Sequence, residues 1–150
     1  MRGGVELAAL KIRKMKMSDI DAISRIDRKI TKRDRKAMWK SLVLKYLKLD
    51  GKCCLVAELD GTVIGFMFGS IKDWMFGVEK VGWIETLGVD PEFMGQGLGK
   101  KMGEELFAYF RKNGVTEVHT LARWDSSDVL AFFKSLGFSP SDFISLRRKL

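Results

Sequence analysis

The chain has 150 residues, enough for one domain around a single hydrophobic core over residues 1–150. At 46% hydrophobic and 31% charged it reads as globular rather than disordered, and with no run of 18 apolar residues no membrane span is expected. The net charge of +8 suits anionic ligands, while the basic patch from Arg28 to Lys36 is more simply a solvated helix face than a nucleic-acid surface. The start, Met1-Arg2-Gly3-Gly4-Val5-Glu6, leads through a short apolar stretch to Lys11-Ile12-Arg13-Lys14, which is not a signal-peptide pattern. Cys53 and Cys54 are adjacent and there is no third cysteine, so a reducing cytoplasm is expected and no metal is called for.

In chain order, residues 10–16 read as a first strand. Ser18 and Asp21 stand close to a capping-box spacing, and Ile20, Ile23, Ile26 and Ile30 follow at helical intervals. A second helix is expected over 34–48, with Met38, Trp39, Leu42, Val43, Tyr46 and Leu47 on one face and Asp50-Gly51 at its end. Residues 53–59 and 62–68 flank Asp60-Gly61, a strong hairpin signal. Residues 72–77 read as a loop carrying Trp74 and Phe76, followed by a central strand over 81–87. A helix follows with Leu98, Met102, Leu106 and Phe110 at four-residue spacing, closed by Asn113-Gly114. Residues 116–122 predict a strand, and Ser126 or Ser127 caps a helix ended by Gly137. Residues 143–148 predict a last strand.

The stretch between central strand and long helix carries the chemistry. Asp90-Pro91 ends the strand, and glycines stand at 95, 97 and 99 before the helix. Glycine turns tightly and leaves backbone N–H groups open to a ligand, and the first N–H groups of a helix lack internal partners. Strand, glycine turn and helix start together suit phosphate oxygens. Nucleotide motifs fit poorly: a P-loop needs glycine where Met94 stands and Ser or Thr where Lys101 stands, and the dinucleotide fingerprint needs a third glycine at Lys100.

Met94-Gly95-Gln96-Gly97-Leu98-Gly99, preceded by Val89-Asp90-Pro91, resembles the pyrophosphate loop of the GNAT family of N-acetyltransferases, its two defining glycines matching and Met94 replacing the family's polar first residue. The element order β-α-α-β-β-β-α-β-α-β and the segment Leu130 to Phe138 are similar to that family too. The resemblance implies an α/β (α+β) GNAT fold, a mixed central sheet of about six to seven strands with about four helices. It implies an enzyme moving an acetyl group from acetyl-CoA to a primary amine by direct attack in a ternary complex. Main-chain groups at Leu87, Gly88 and Val89 would pair with pantetheine, and Met94, Gly95, Gln96, Gly97, Leu98, Gly99 and Lys100 would hold the pyrophosphate. Ser126 stands where relatives place a cofactor-contacting asparagine, although a helix cap explains it equally well. Phe133 replaces the tyrosine that protonates the leaving thiolate in many relatives.

A glutamate base that some relatives carry is Leu121 here, so the candidates are Glu85, on the central strand, and His119. A buried carboxylate on an apolar strand is costly without a purpose. Acidic Asp73, Glu79 and Asp125, with Trp74, Trp83 and Trp124, could line an amine site. Partners are therefore acetyl-CoA and an amine, small or on a protein, with no membrane and no nucleic acid expected and a homodimer left open. The rivals are a regulatory module that binds acyl-CoA with little or no catalysis, and a basic nucleic-acid-binding domain.

Overall fold

Five strands lie side by side in the order in which the chain makes them: β1 (Leu10–Lys14), β2 (Cys54–Leu59), β3 (Thr62–Met75), β4 (Val78–Val89) and β5 (Glu117–His119). The structure is a computed structural model, and the described residues are 9–150, so the N-terminal stretch from Met1 to Glu6 lies outside them. Two compact units are distinguished, one ending at Thr120 and the other Leu121–Leu150.

In the first unit, neighbours from β1 to β4 pair antiparallel, and β4 with β5 is parallel, the crossover being made by a helix. The expected Asp60-Gly61 hairpin forms, with φ of 48° and 80° at its two turn residues. A second hairpin replaces the loop expected over 72–77: β3 runs on to Met75 and β4 begins at Val78. Its turn residues Phe76 and Gly77 have φ of 56° and 74°, and phenylalanine in that left-handed region gives no turn signal in a sequence.

Helices α1 (Ile20–Thr31) and α2 (Lys36–Asp50) cover one sheet face, where Ile23, Ile26, Trp39 and Val43 meet Val56, Phe66 and Phe68. The Trp39 and Phe66 rings lie edge to face at 5.0 Å. Ser18 and Asp21 do not cap α1. A 3-10 turn, Met17–Asp19, precedes it, and Asp19 accepts from the Lys16 N–H at 2.7 Å, while Asp21 pairs with Lys36 at 2.7 Å. Asp19 lies closer to the turn, and its carboxylate is held from the other side by both Arg13 terminal nitrogens.

Helix α3 (Leu98–Lys112) covers the other face, with the predicted Leu98, Met102, Leu106 and Phe110 all buried. It comes close because glycines face it: a Cβ at Gly82 would meet the Phe110 ring at 2.7 Å, and one at Gly69 would meet Leu106 at 2.9 Å.

β5 is three residues long rather than the 116–122 expected. Its ladder with β4 ends at Trp83–His119, where the Thr120 hydroxyl, not a main-chain N–H, takes the Ile84 carbonyl at 2.9 Å.

In the second unit, α4 (Ser127–Ser135) is closed by Gly137 at φ 90° and by the Phe138 N–H donating to the Phe133 carbonyl. The strand expected over 143–148 does not form, so the described sheet has five strands, not six or seven. As a strand the segment would put only Ile144 and Leu146 on one face, with Arg148 beyond them, too little apolar surface to hold it; both are exposed.

Candidate active site

β4 departs from its neighbours in two places. On the β3 side, Phe68 pairs with Thr86 and Gly69 with Ile84, so Glu85 is an extra residue, a β-bulge. On the other side no strand accompanies β4 beyond the Trp83–His119 pair, among the described residues. From Glu85 to Val89 that edge offers main-chain donors and acceptors to whatever lies beside it, and the sequence-predicted Leu87, Gly88 and Val89 all stand there.

The chain then turns at Asp90, a residue only 3% exposed. It accepts from the Glu92 N–H at 3.1 Å and from Lys29 Nζ at 2.8 Å. Burial alone would raise this carboxyl, but the hydrogen bonds from Lys29 and Glu92 outweigh it and hold it below the usual range. Asp90 thus anchors the entry to the glycine loop from α1, a role absent from the residue-level reading.

In that loop Gly95 and Gly97 have φ of 80° and 77°, and nothing lies within 4 Å of an added Cβ at either. They are needed for backbone conformation, not for room in the protein. The first helical bond is Lys101 N–H to the Gly97 carbonyl at 3.0 Å. Among the described residues, no acceptor takes the N–H groups of Gly95, Gln96, Gly97, Leu98, Gly99 or Lys100. Six unclaimed donors at the positive end of a fifteen-residue helix favour negative charge beside them. Met94 is exposed beside them. A groove of about 700 Å3 lies next to the loop between Gly97 and Leu10, lined by Lys100 and Lys101 as well as by Glu104 and Glu105.

On the α1/α2 face, four side chains converge at the bulge. The Ser70 hydroxyl donates to Glu85 Oε1 at 2.7 Å, and Lys72 Nζ lies 3.1 Å from the same oxygen. That ammonium also sits 4.7 Å from the Trp83 ring centroid. The Tyr46 hydroxyl faces Glu85; burial first, then this carboxylate, push its phenol above the ordinary range. Glu85 keeps 20% of its side chain exposed. Alternation along β3 beyond residue 68 carries the signal for Ser70 and Lys72, since Phe66, Phe68, Ser70 and Lys72 share one face.

His119 is placed differently. Its Nε2 lies 3.0 Å from Glu117, and its ring stacks on Phe76 at 4.3 Å. Of the aromatic and acidic residues expected at an amine site, Trp83 is at the bulge, whereas Trp74 is 77% exposed near the hairpin tip. In the second unit Trp124 is exposed and Asp125 is engaged by Arg123 at 2.7 Å. Ser126 occupies the N-cap position of α4, but its hydroxyl makes no capping bond. Phe133 is buried, edge to face with Phe138 at 5.2 Å.

The sequence model of the acetyltransferase (GNAT) family matches residues 20–138. The chain belongs to the GNAT family. Among its relatives are an uncharacterised N-acetyltransferase of Methanocaldococcus jannaschii, 28% identical over 113 residues, covering 73% of this chain and 50% of that protein. A mycothiol acetyltransferase of Amycolatopsis mediterranei is 32% identical over 87 residues, 56% of this chain and 29% of that protein. The chain thus spans half or less of the length of these two relatives. Among solved structures, an aminoglycoside N-acetyltransferase in complex with CoA superposes with a TM-score of 0.80 at 20% identity, over 93% of this chain and 94% of that one. An aminoglycoside 6'-N-acetyltransferase from Acinetobacter baumannii gives 0.79 at 17% identity, over 94% and 98%. This GNAT chain shares their fold. No helix of its described residues is long and apolar enough to cross a membrane.

Proposed function

We propose that this GNAT protein is an N-acetyltransferase that moves the acetyl group of acetyl-CoA to a primary amine by direct attack in a ternary complex. The observation that carries it is the open β4 edge at Glu85–Val89 followed, past the Asp90 turn, by six N–H groups of residues 95–100 that no acceptor takes among the described residues. Names of relatives and a fold neighbour solved with CoA support the same donor.

In this proposal the N–H groups of residues 95–100 bind the pyrophosphate, and the main chain at Leu87, Gly88 and Val89 pairs with the pantetheine arm. Acetyl-CoA supplies an activated thioester carbonyl. A backbone N–H of the open edge polarises that carbonyl as negative charge develops on its oxygen. Glu85 takes a proton from the incoming ammonium, directly or through a water, with the Ser70 hydroxyl holding its carboxylate in place. His119, tied to Glu117 and stacked on Phe76, supports Trp83 rather than serving as the base. Phe133 has no proton to give; a thiol has a reference pKa near 8.5, so the thiolate can leave to solvent.

Thermal unfolding with and without acetyl-CoA, beside a Gly97→Val variant, tests the donor. A ligand at about 100 times its Kd stabilises by roughly 2.7 kcal/mol, a shift of several degrees. The parent should shift and Gly97→Val should not, because a β-branched residue resists φ near 77°. Thiol release that requires an added amine then tests transfer. A thermal shift without turnover for any amine would favour the regulatory binding module instead.

A further inference from the structure

A feature of the bulge site is left unused by the proposal above: it already contains a primary amine. Lys72 Nζ is 3.1 Å from Glu85 Oε1 and 4.7 Å from the Trp83 ring centroid. A carboxylate beside an aromatic face is the arrangement by which proteins recognise ligand ammonium groups. Lys72 therefore fills, from within the chain, the seat an acceptor amine would need in order to reach Glu85. From the juxtaposition of the Lys72 amine with Glu85 at the open edge of β4, we propose that Lys72 is a self-acetylation site. This holds only if an acyl-CoA thioester is the donor, as proposed above.

The chemistry balances without a further reactant. The Lys72 ammonium gives one proton to Glu85, and the freed amine attacks the thioester carbonyl carbon. A C–N bond forms, the C–S bond breaks, and the thiolate leaves with the electron pair. The second nitrogen proton goes to that thiolate, and the Glu85 proton passes to water. The four-carbon stem of lysine lets the nitrogen leave its ion pair to reach the thioester. Because the amine is tethered, it competes at an effective concentration that a dilute free amine does not match. The product is neutral, so the ion pair with Glu85 and the contact with Trp83 end. The seat is then vacated for an external amine. In this arrangement the unmodified protein is self-blocked, and acetylation of Lys72 opens the acceptor site.

The full chain is incubated with trideuterated acetyl-CoA and no added amine, cleaved before aspartate residues, and mapped by mass spectrometry, with acetyl already present on Lys72 counted alongside the label. Uncatalysed acylation by a thioester follows exposure; the Lys72 side chain is 38% exposed and that of Lys36 is 60% exposed. The expected result is that Lys72 is acetylated at least about tenfold faster than Lys36, with a half-time unchanged on tenfold dilution of the protein. In Glu85→Gln the rate at Lys72 should fall about tenfold or more while that at Lys36 stays the same. Labelling of Lys72 no faster than Lys36, or a half-time that lengthens on dilution, overturns the proposal. If that happens in protein that acetyl-CoA stabilises against heat, the donor assignment survives and only self-acetylation falls. If acetyl-CoA neither stabilises nor labels, the donor assignment has failed and takes this inference with it.

Discussion

A carboxylate taken out of water needs hydrogen bonds or a cation to replace its hydration. Glu85 has both, the Ser70 hydroxyl and the Lys72 ammonium, and it retains the partial exposure that a proton acceptor requires. Glutamine in its place keeps the shape and can still accept from Ser70, so the fold should be kept while the proposed proton acceptor is lost. Glu85→Gln is expected to lower kcat/KM about 10²-fold, read by thiol release with a fixed amine. An unchanged value between about pH 6 and about pH 9 would remove Glu85 from the chemistry. Glu85 itself was legible, because a charged residue interrupting Val81–Leu87 stands out against its apolar neighbours. Its partners were not. Ser70 and Lys72 are ordinary residues on an ordinary strand until the register, and the extra residue at the bulge, bring them to one oxygen.

At the level of elements, the glycines divide by what they do. Gly95 and Gly97 are open to solvent and constrained in backbone, while Gly82 is packed under the Phe110 ring. Gly82→Ala should destabilise by about 1–3 kcal/mol, because the aromatic ring must shift in a closely packed interface. Phe110→Leu in the same chain should recover part of that loss. A urea series on parent, single and double variants measures both effects, and equal midpoints for parent and Gly82→Ala would show that α3 slides without cost. The elements read best in the sequence were those whose period is self-contained, namely the α3 face and the Asp60-Gly61 hairpin. The shortened β5 and the second hairpin were not legible, because each depends on one non-periodic choice: a threonine hydroxyl capturing a carbonyl and a phenylalanine at positive φ. The glycine loop was legible as a loop, but its six unclaimed N–H groups are a property of three-dimensional placement.

Over the whole molecule, stability should depend on pH from both sides. Asp27 is held low by Arg35, against burial; Asp19 is held low although burial opposes it, by Arg13 and the Lys16 N–H; Asp90 is held low by Lys29 in the same way. Their contributions are present above the unfolded carboxylate value, about 3.9, and are lost as pH falls through the folded values. Burial, followed by the nearby Asp50, pushes the Cys53 thiol up, and burial pushes Cys54 up to about 11. Both favour the folded state fully below the unfolded thiol value, about 8.5, and progressively less as pH rises toward the folded values. Near pH 10 the loss should be about 1 kcal/mol or more per thiol. Urea midpoints at about pH 7 and about pH 10 read this loss, and Cys53→Ala with Cys54→Ala should shrink the difference. An alkaline fall as steep in that double variant would show that the two thiols are not its cause, since Tyr109, whose phenol is pushed to about 12 by burial and by Asp50, has lost only about 0.4 kcal/mol by about pH 10. One further consequence comes from the sheet, in which every strand lies next to its neighbour in the chain. β2, β3 and β4 are joined by two-residue turns, so the frame behind Glu85 closes over short stretches of chain, at small loop entropy and early in folding. β1 must wait for the return across α1 and α2, and β5 for the crossover through α3, so the two outer strands of the described sheet join after the central hairpins have formed.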